Sequence, residues 1–386
     1  IGYTIYDEYL NVFKKSTISH IKGNSDLFHV FQEVYLEIDF YENIFNKEKI
    51  IGAFIFHDTY STYGTLKEFL TSKNIQVYGS FVMPTFCFLK FNKNHAYYIP
   101  WEQTKKNFHR IDQNLQKEKI ELSRRKLNQI LKGDNNLSNN EANYHLDKRK
   151  LLNSQSLWTN SVKNEITNMS ENKIGVFMHA FSDSPHRFKK NIFADYWEWI
   201  NYVLEKAKKT PYKWYIKPHP LDDRPEIMDQ LIKKHVCDNI IFLSGSISNF
   251  FFINNNFKSI FTCHGTCCYE FALFDIPVVT FGENQTMSFD FNLHCRDDKE
   301  KLDEYINNAN KLNVKVTKED VYKCYYFNNM FFTDFKKSYI PEKLITDYYK
   351  GYGNLFRFIF KNVNEENLEK GNYNYWLNMD LFADSK

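Results

Sequence analysis

A chain of 386 residues, 43% hydrophobic and 25% charged, has enough apolar material for two hydrophobic cores and favours a globular protein of two domains. The formal net charge is only +3, and Lys and Arg are mixed evenly with Asp and Glu, which excludes a protein built to bind nucleic acid. The sequence has neither a long apolar run nor a basic start followed by an apolar segment, so we expect no membrane span and no signal peptide.

The first part of the chain predicts a strand, a helix and then a βαβ unit. The opening IGYTIYDEYLNVF alternates like a short strand, and residues 26–41 repeat their apolar side chains with the period of a helix. A buried strand at 49–57 is followed by a helix at 65–72 and a strand at 75–78, an order typical of parallel pairing.

The loop that follows the strand at 49–57 reads HDTYSTYG. In open α/β sheets, ligands bind at the carboxyl ends of the strands. The loop therefore predicts an acceptor site, in which His57 is a candidate catalytic residue and the substrate contacts are Asp58, Tyr60 and Tyr63. A solvated loop without a function is the alternative interpretation.

Residues 101–132 have a polar, charged composition that predicts one long solvent-facing helix or two shorter ones, ended by Gly133. The segment GDNNLSNNEAN at 133–143 predicts a loop or linker, because Asn, Ser and Gly favour turns.

The second half of the chain alternates regularly between strands and helices. This alternation is typical of a parallel sheet with crossover helices, in a Rossmann-like domain. Strands are predicted at 173–181, 213–220, 239–243 and 260–262, with helices at 193–208, 223–235, after residue 248 and at 269–274, before a last buried strand.

Two further helices are predicted at 299–312 and 318–335. The tail, at about 340–386, is rich in aromatic residues, and we expect it to pack back on the first domain. Its basic residues Lys350, Arg357 and Lys361 leave adsorption to a membrane surface as the alternative.

The seven cysteines lie at positions 87, 237, 263, 267, 268, 295 and 324, and no two of them form a C-x-x-C pair. An odd number without paired spacing predicts reduced thiols and a cytoplasmic location. Zinc binding by Cys263, Cys267, Cys268 and His264 is the alternative, but these residues crowd into one turn and have no second ligand pair. We therefore expect no metal.

The KPHP sequence at 217–220 ends a predicted strand, and its two prolines make the turn rigid. The side chains beside them are fixed in place, so His219 can donate to a phosphate oxygen and Lys217 offers a positive charge next to it. A histidine satisfied by the backbone at a strand end is the alternative.

A second turn suited to an anion is formed by His264, Gly265 and Thr266 at a helix start, where the helix dipole favours negative charge. One helical turn later Glu270 faces the same way as Thr266, and its two oxygens suit the two hydroxyls of a ribose. Ser246, in the preceding loop, is a candidate contact to the base or phosphate. A surface or capping carboxylate and an ordinary serine turn are the alternatives.

The segment MHAFSDSPH places Asp183 at the carboxyl end of a strand, where a carboxylate can act as a general base or a nucleophile. His179 and Ser184 are candidate substrate contacts beside it, and His186 is near in sequence. The alternative is that Asp183 is an ordinary turn residue of the S-D-S-P sequence.

These segments together resemble the capsule and surface-polysaccharide glycosyltransferases of GT-B type, especially the retaining β-Kdo transferases that use a CMP-activated sugar. The resemblance implies an α/β fold of two Rossmann-like domains that face each other across a cleft, an acceptor domain at 1–165 and a donor domain at 172–335. It covers most of residues 1–285 and is carried by IGYTIYDEYL, HDTYSTYGTL, RKLNQILKGD, YHLDKRKLLN, MHAFSDSP, WYIKPHP and TCHGTCCYEFALFDIPVVTFG.

Carried over by position, the resemblance implies that His219 and the turn at 264–266 hold the donor phosphate and that Glu270 holds the ribose. Asp183 falls where these enzymes place a catalytic carboxylate. They commonly carry Gln ahead of it, where this chain has His179. Side-chain donors and a helix start would neutralise the leaving phosphate in place of a metal.

The expected function is a metal-independent, cytoplasmic glycosyltransferase that needs no cofactor besides a nucleotide-sugar donor of the CMP or other cytidine type. Its acceptor would be a capsule or surface glycan or glycolipid, with contact to the inner face of the membrane or to a capsule-assembly complex. Two other classes remain open. A CDP-alcohol phosphotransferase of the teichoic-acid-polymerase kind shares K-P-H-P but typically follows it with an Asp-Tyr-Ser-Ser turn, and a non-catalytic glycan-binding subunit is the third class.

Overall fold

The computed structural model describes residues 2–55, 58–80, 88–90, 101, 104–109, 111–132, 172–186, 192–219, 225–245 and 247–330. The chain folds into two compact units, whose described parts lie mainly within residues 2–80 and 101–326. Several predicted features lie outside the described residues, namely His57, Ser246, the linker at 133–143 and the tail at 340–386. The predicted domain boundaries therefore stay a prediction.

The first unit contains a βαβ unit, as the sequence predicts. Strands β1 and β2 pair in parallel, and β3 adds to β2 in the antiparallel direction. With only three described strands of mixed direction, the second Rossmann-like domain stays a prediction. The elements are α1 (Gly2–Val12), α2 (Ser25–Phe45), β1 (Gly52–Ile55), a π-helical turn (Tyr60–Gly64), α3 (Thr65–Ser72), β2 (Gln76–Ser80) and β3 (Phe88–Lys90).

The opening segment is a helix, so the strand prediction for it is wrong. Ile5, Tyr9 and Leu10 fall on one face at helical spacing and are buried against Leu27 and other apolar residues of α2. The apparent alternation comes from Ile1, Tyr3 and Ile5 in the sequence, but Tyr3 lies on the opposite face of the helix and is 64% exposed. Tertiary packing against α2 therefore decides the conformation.

The second unit is built on a six-stranded sheet in which every strand pair is parallel. The strands are β4 (Lys173–Phe177), β5 (Lys213–Lys217), β6 (Ile240–Phe242), β7 (Ser259–Thr262), β8 (Val278–Thr280) and β9 (Leu293–His294). The helices are α4 (Thr104–Phe108), α5 (Gln113–Lys132), α6 (Tyr196–Ala207), α7 (Pro225–Lys234), α8 (Asn249–Asn254), α9 (Cys267–Ala272), α10 (Lys299–Asn307) and α11 (Lys318–Asn329).

Both faces of this sheet are covered, which explains its near-continuous apolar strands. On one face, Trp214 and Ile216 of β5 pack in a core with α6, α7 and α10. On the other face, Tyr215 of β5 and Phe177 of β4 pack with Phe252 of α8 and Phe271 of α9. This arrangement confirms the predicted parallel α/β architecture for residues 173–294.

The strand order across the sheet is β6-β5-β4-β7-β8-β9. If β4 to β9 are renumbered 1 to 6, the order across the sheet becomes 3-2-1-4-5-6, which is the order of a dinucleotide-binding sheet. The direction of winding reverses between β4 and β7, so these two strands flank the switch point. The edge strand β9 has only two residues and escaped prediction. None of the described helices is long and apolar enough to cross a bilayer.

His235, directly after α7, makes the stability of the second unit dependent on pH. Its ring is buried, and Nε2 lies 2.7 Å from Asn201 Oδ1. Because the Asn201 amide nitrogen donates to the carbonyl of Trp197, Oδ1 is the acceptor and the imidazole donates. Burial lowers the pKa of His235 from 6.5 to about 4, and Lys208 and Lys234 act in the same direction against an opposing effect of Glu205.

We expect the free energy of unfolding to fall by about 3 kcal/mol between pH 7 and pH 4 because of His235. Above about pH 6.5 the ring is neutral in both states, and its contribution to stability is complete. As the pH falls further, the unfolded chain binds a proton that the folded chain excludes until about pH 4. Urea unfolding at several pH values measures the slope. His235→Asn should flatten it and His20→Ala, at an exposed ring, should not; equal slopes in all three proteins would contradict the prediction.

Candidate functional site

The candidate site lies at the carboxyl ends of three adjacent strands of the parallel sheet. His179 follows β4, His219 follows β5 and His264 follows β7. The ring centroid of His179 lies 4.1 Å from that of His264 and 5.5 Å from that of His219. The sheet thus brings together three imidazoles that are up to 85 positions apart in sequence. His179 and His264 flank the switch point, where such sheets bind their ligands.

Two further side chains hold the imidazoles in place. The hydroxyl of Tyr196 lies 2.9 Å from His264 Nε2, and the tautomer of the ring decides which group donates. The Tyr196 ring also contacts His179 edge to face, with the centroids 4.7 Å apart. Asp183 Oδ2 lies 3.2 Å from His179 Nε2. The Asp183 side chain is 56% exposed, so it borders solvent while the His179 side chain is 13% exposed.

The loop that carries Asp183 contains a strained residue. Ser184 has φ +37°, a conformation that residues other than glycine rarely adopt, and it is almost fully buried. Such strain costs about 1–3 kcal/mol and is concentrated at functional sites. Burial makes Ser184 a part of the loop's framework rather than an open surface for substrate. The backbone N–H of Asp183 donates to the carbonyl of Ala180, which tightens the turn.

Lys217, the last residue of β5, is buried at 6% exposure. Its Nζ lies 5.2 Å above the ring centroid of Phe177, so the ammonium makes a cation–π contact. Alternation along the strand places Lys217 on the same face as Tyr215, the face covered by α8 and α9. The phosphate role expected of Lys217 stays a prediction.

The turn at 264–266 offers fewer backbone donors than the sequence suggests. Helix α9, which follows it, has only six residues, so its dipole is weak. The N–H groups of Cys268, Tyr269 and Glu270 already donate to the carbonyls of Gly265 or Thr266. Anion binding here would therefore depend on His264 and the exposed Thr266 more than on a helix start.

Gly265 has φ +127°, which only glycine adopts without strain, and its carbonyl accepts a hydrogen bond of 3.2 Å from Gln285 Nε2. Gln285 belongs to a loop of buried polar residues between β8 and β9. In that loop, Asn292 donates to the carbonyl of Cys268 and to Thr286. Hydrogen bonds from this loop therefore hold the turn at 264–266 and the start of α9 in place.

Glu270, expected to hold a ribose, is buried at 4% exposure in the first turn of α9. Its Oε2 accepts a hydrogen bond of 2.6 Å from Asn249 Nδ2. Its Oε1 is also buried and has no hydrogen-bond partner among the described residues. The alternative of a surface carboxylate is thereby excluded.

The cysteines around this turn are buried core residues. Burial raises the pKa of the Cys263 thiol, and the hydrogen bond between the Cys268 and Cys267 thiols together with burial raises the pKa of Cys268. Raised pKa values keep these thiols protonated and weakly nucleophilic. Within the described part of the chain, no group of three or more His, Cys, Asp or Glu is placed to hold a metal ion.

In the first unit, the predicted acceptor residues surround the π-helical turn. Asp58 pairs with Lys67 at 3.3 Å, and both side chains are less than 10% exposed. The ion pair holds the Asp58 carboxylate against the Lys67 ammonium. Tyr60 begins the turn with φ +65°, and Tyr63 packs beside the buried Phe69 cluster. Their substrate contacts stay a prediction.

The π-helical turn also has carboxylate neighbours that the sequence did not single out. Glu8 Oε2 accepts a hydrogen bond of 2.8 Å from the N–H of Ser61. Burial raises the pKa of Glu37 on α2, and the neighbouring side chains of Thr62 and Thr65 act in the opposite direction. π-Helical turns are often found at functional sites.

Gly245→Ala is expected to destabilise the second unit by about 1–3 kcal/mol and to disturb the KPHP turn. A Cβ atom at this position would lie 3.1 Å from the carbonyl oxygen of Pro218 and 3.3 Å from that of His219. Backbone atoms cannot move aside cheaply, so the loop at 243–248 would be pushed away from His219. Guanidinium unfolding measures the loss. Gly2→Ala, where a Cβ meets open space, is the control, and equal stability of both variants would contradict this packing.

No known family profile matches the chain, and no curated protein matches it. Among solved structures, a UDP-GlcNAc 2-epimerase of Methanocaldococcus jannaschii, solved with UDP-GlcNAc and UDP, is 13% identical over 83% of this chain and 94% of its own, with a TM-score of 0.33. TarM is 12% identical with a TM-score of 0.27, over 47% of this chain and only 35% of its own length. Likenesses this distant carry no argument, so fold and function rest on the chain's own sheet and side chains.

Proposed function

We propose that the chain is a glycosyltransferase that moves a sugar from a nucleotide-activated donor, of the cytidine type, to a capsule or surface-glycan acceptor. The observation that carries the proposal is the meeting of His179, His219 and His264 beside the switch point of a parallel sheet. Sheets of this order bind nucleotides at that place. Imidazole N–H groups are suited to donate to the oxygens of a phosphate.

Asp183 is the residue proposed to act on the transferred sugar. In the reaction, the bond between the anomeric carbon and the donor phosphate breaks, and its electron pair leaves with the nucleotide. In a retaining route Asp183 bonds to the anomeric carbon as the phosphate leaves, and the acceptor oxygen then displaces Asp183 and gives its proton to the departing phosphate. In an inverting route the acceptor oxygen bonds to the anomeric carbon as the phosphate leaves, and Asp183 takes the proton of the acceptor hydroxyl. His219 and His264 would stabilise the charge that develops on the leaving phosphate.

A panel of CMP, CDP, UDP and GDP compounds tests the donor class by thermal shift. A ligand present at about 100 times its Kd stabilises the fold by about 2.7 kcal/mol, which is a readily measured rise in Tm. We expect cytidine nucleotides to give the largest rise. If no nucleotide shifts a sharp unfolding transition and calorimetry shows glycan binding, the glycosyltransferase proposal is wrong. The chain would then be a non-catalytic glycan-binding subunit.

Product analysis tests the transferred group. A glycosidic product from the CMP-sugar donor supports the proposal, whereas a phosphodiester from a CDP-alcohol would show a phosphotransferase. We expect the rate to be unchanged by EDTA, because histidines rather than a metal are proposed to neutralise the phosphate. A rate that collapses in EDTA and returns with Mg²⁺ would contradict this role of the histidines.

A further inference from the structure

The two carboxylate oxygens of Glu270 differ in their hydrogen bonding. Oε2 accepts a hydrogen bond from Asn249, while Oε1 is an orphaned buried acceptor within the described part of the chain. Leaving a buried acceptor without a donor is unfavourable, and more so when the group is charged. A ligand hydroxyl donating to Oε1 would remove that penalty, and its hydrogen bond would be strong because Oε1 is shielded from water.

Asn249 is itself held firmly, because it begins α8 directly after the capping residue Ser248. Ser248 Oγ accepts a hydrogen bond of 3.3 Å from the N–H of Phe250. Gly245, in the loop before this cap, packs against the backbone carbonyls of Pro218 and His219. Gly245 thus contacts the turn that carries His219, and Asn249 contacts Glu270, as a nucleotide with its phosphate near the first and its ribose near the second would require.

The sequence suggests that both oxygens of Glu270 accept from the two hydroxyls of a ribose, but in the structure one oxygen is occupied. Displacing the part-buried Asn249 amide would cost it a hydrogen bond of 2.6 Å to a charged acceptor, so the amide keeps its place. We infer that Asn249 is a positioning residue that leaves Glu270 a single oxygen, Oε1, for its ligand, so that the site recognises one ribose hydroxyl and not the pair. This inference rests on the proposed nucleotide-dependent function.

Calorimetry with CMP, 2′-deoxy-CMP and 3′-deoxy-CMP tests the inference on the wild-type protein, with the uridine series measured in parallel. We expect removal of one hydroxyl to weaken binding about 10- to 100-fold, the usual effect of a hydrogen bond to a charged group, and removal of the other to change it less than about threefold. The wild-type measurement does not depend on how any variant folds.

Two variants then test the role of Asn249. Asn249→Ala frees Oε2 for the second hydroxyl, so the two deoxy nucleotides should become nearly equal in affinity. Asn249→Gln keeps an amide and should restore part of the discrimination. The matched control is Asn254→Ala, which removes an exposed amide from the same helix and should behave as wild type. Tm and far-UV circular dichroism report whether each variant as a whole is folded.

The outcomes separate this inference from the proposed function. If CMP binds and both deoxy forms are weakened equally, the function stands and recognition of a single hydroxyl is overturned. The same holds if both deoxy forms bind as tightly as CMP. If neither the cytidine nor the uridine series binds, the nucleotide-dependent function fails and the inference fails with it.

Discussion

His219→Ala is expected to lower the rate constant of donor cleavage about 100- to 1,000-fold, the range seen when one preorganised donor to a developing negative charge is removed. The ring sits at the end of β5, with its centroid 5.5 Å from that of His179. Because the charge on the phosphate grows as the glycosidic bond breaks, the loss should appear mainly in kcat and less in KM. Single-turnover release of the nucleotide measures it.

The control for this variant is His20→Ala, which removes an exposed imidazole of the first unit and should leave the rate unchanged. Circular dichroism should give the same spectrum for both variants. A His219→Ala protein that cleaves the donor at the wild-type rate would remove the phosphate role from this histidine. His264 would then be the next residue to test, together with its partner Tyr196.

Trp214→Ala is expected to cost about 3–5 kcal/mol of unfolding free energy, a large part of the stability of an ordinary domain. Trp214 lies in β5 with no exposed surface, and its ring centroid is 5.3 Å from that of Phe261 in β7. Its Nε1 donates to Thr210 Oγ1 at 2.7 Å. The substitution leaves a cavity in the core between the sheet and α6, and the Thr210 hydroxyl keeps only its own donation to the carbonyl of Ala207. Guanidinium unfolding measures the cost.

Two companion variants separate the causes. Thr210→Val removes the hydroxyl partner of Trp214 and should cost about 1–3 kcal/mol, because the buried indole N–H is left unpaired. Val236→Ala changes a side chain that is 76% exposed and should stay within about 0.5 kcal/mol of wild type. A Trp214→Ala protein as stable as the Val236→Ala protein would mean that the core is not packed around this ring.

The apolar runs of the second half were sufficient to predict β4, β5, β6 and β7, because strands buried on both faces carry almost no polar residues. The helical opening was predicted wrongly. Apolar residues alternate at its start, at Ile1, Tyr3 and Ile5, and only the packing of Ile5 and Leu10 against α2 shows that the helical period applies. Edge strand β9 was missed because two residues are too few to form a pattern.

The three histidines could be predicted as neighbours, since each follows a strand of one parallel sheet. The residues that support them could not. Tyr196 reaches His264 across 68 positions, and Asn249 reaches Glu270 across 21, with no motif to mark either pair. The ion pair of Asp58 with Lys67 could not be predicted from the sequence either, because it depends on both side chains being buried.

The strand order also has a consequence for how the chain acquires its fold. The central strand β4 pairs with β5 and with β7, and about 80 residues separate the end of β4 from the start of β7. Contacts this distant in sequence slow folding. At about 5–20 residues per second on the ribosome, β4 would wait roughly 4–16 s for its second neighbour. During that time its open edge is a template for intermolecular pairing, so the yield of active protein should respond to the speed of translation between residues 178 and 262.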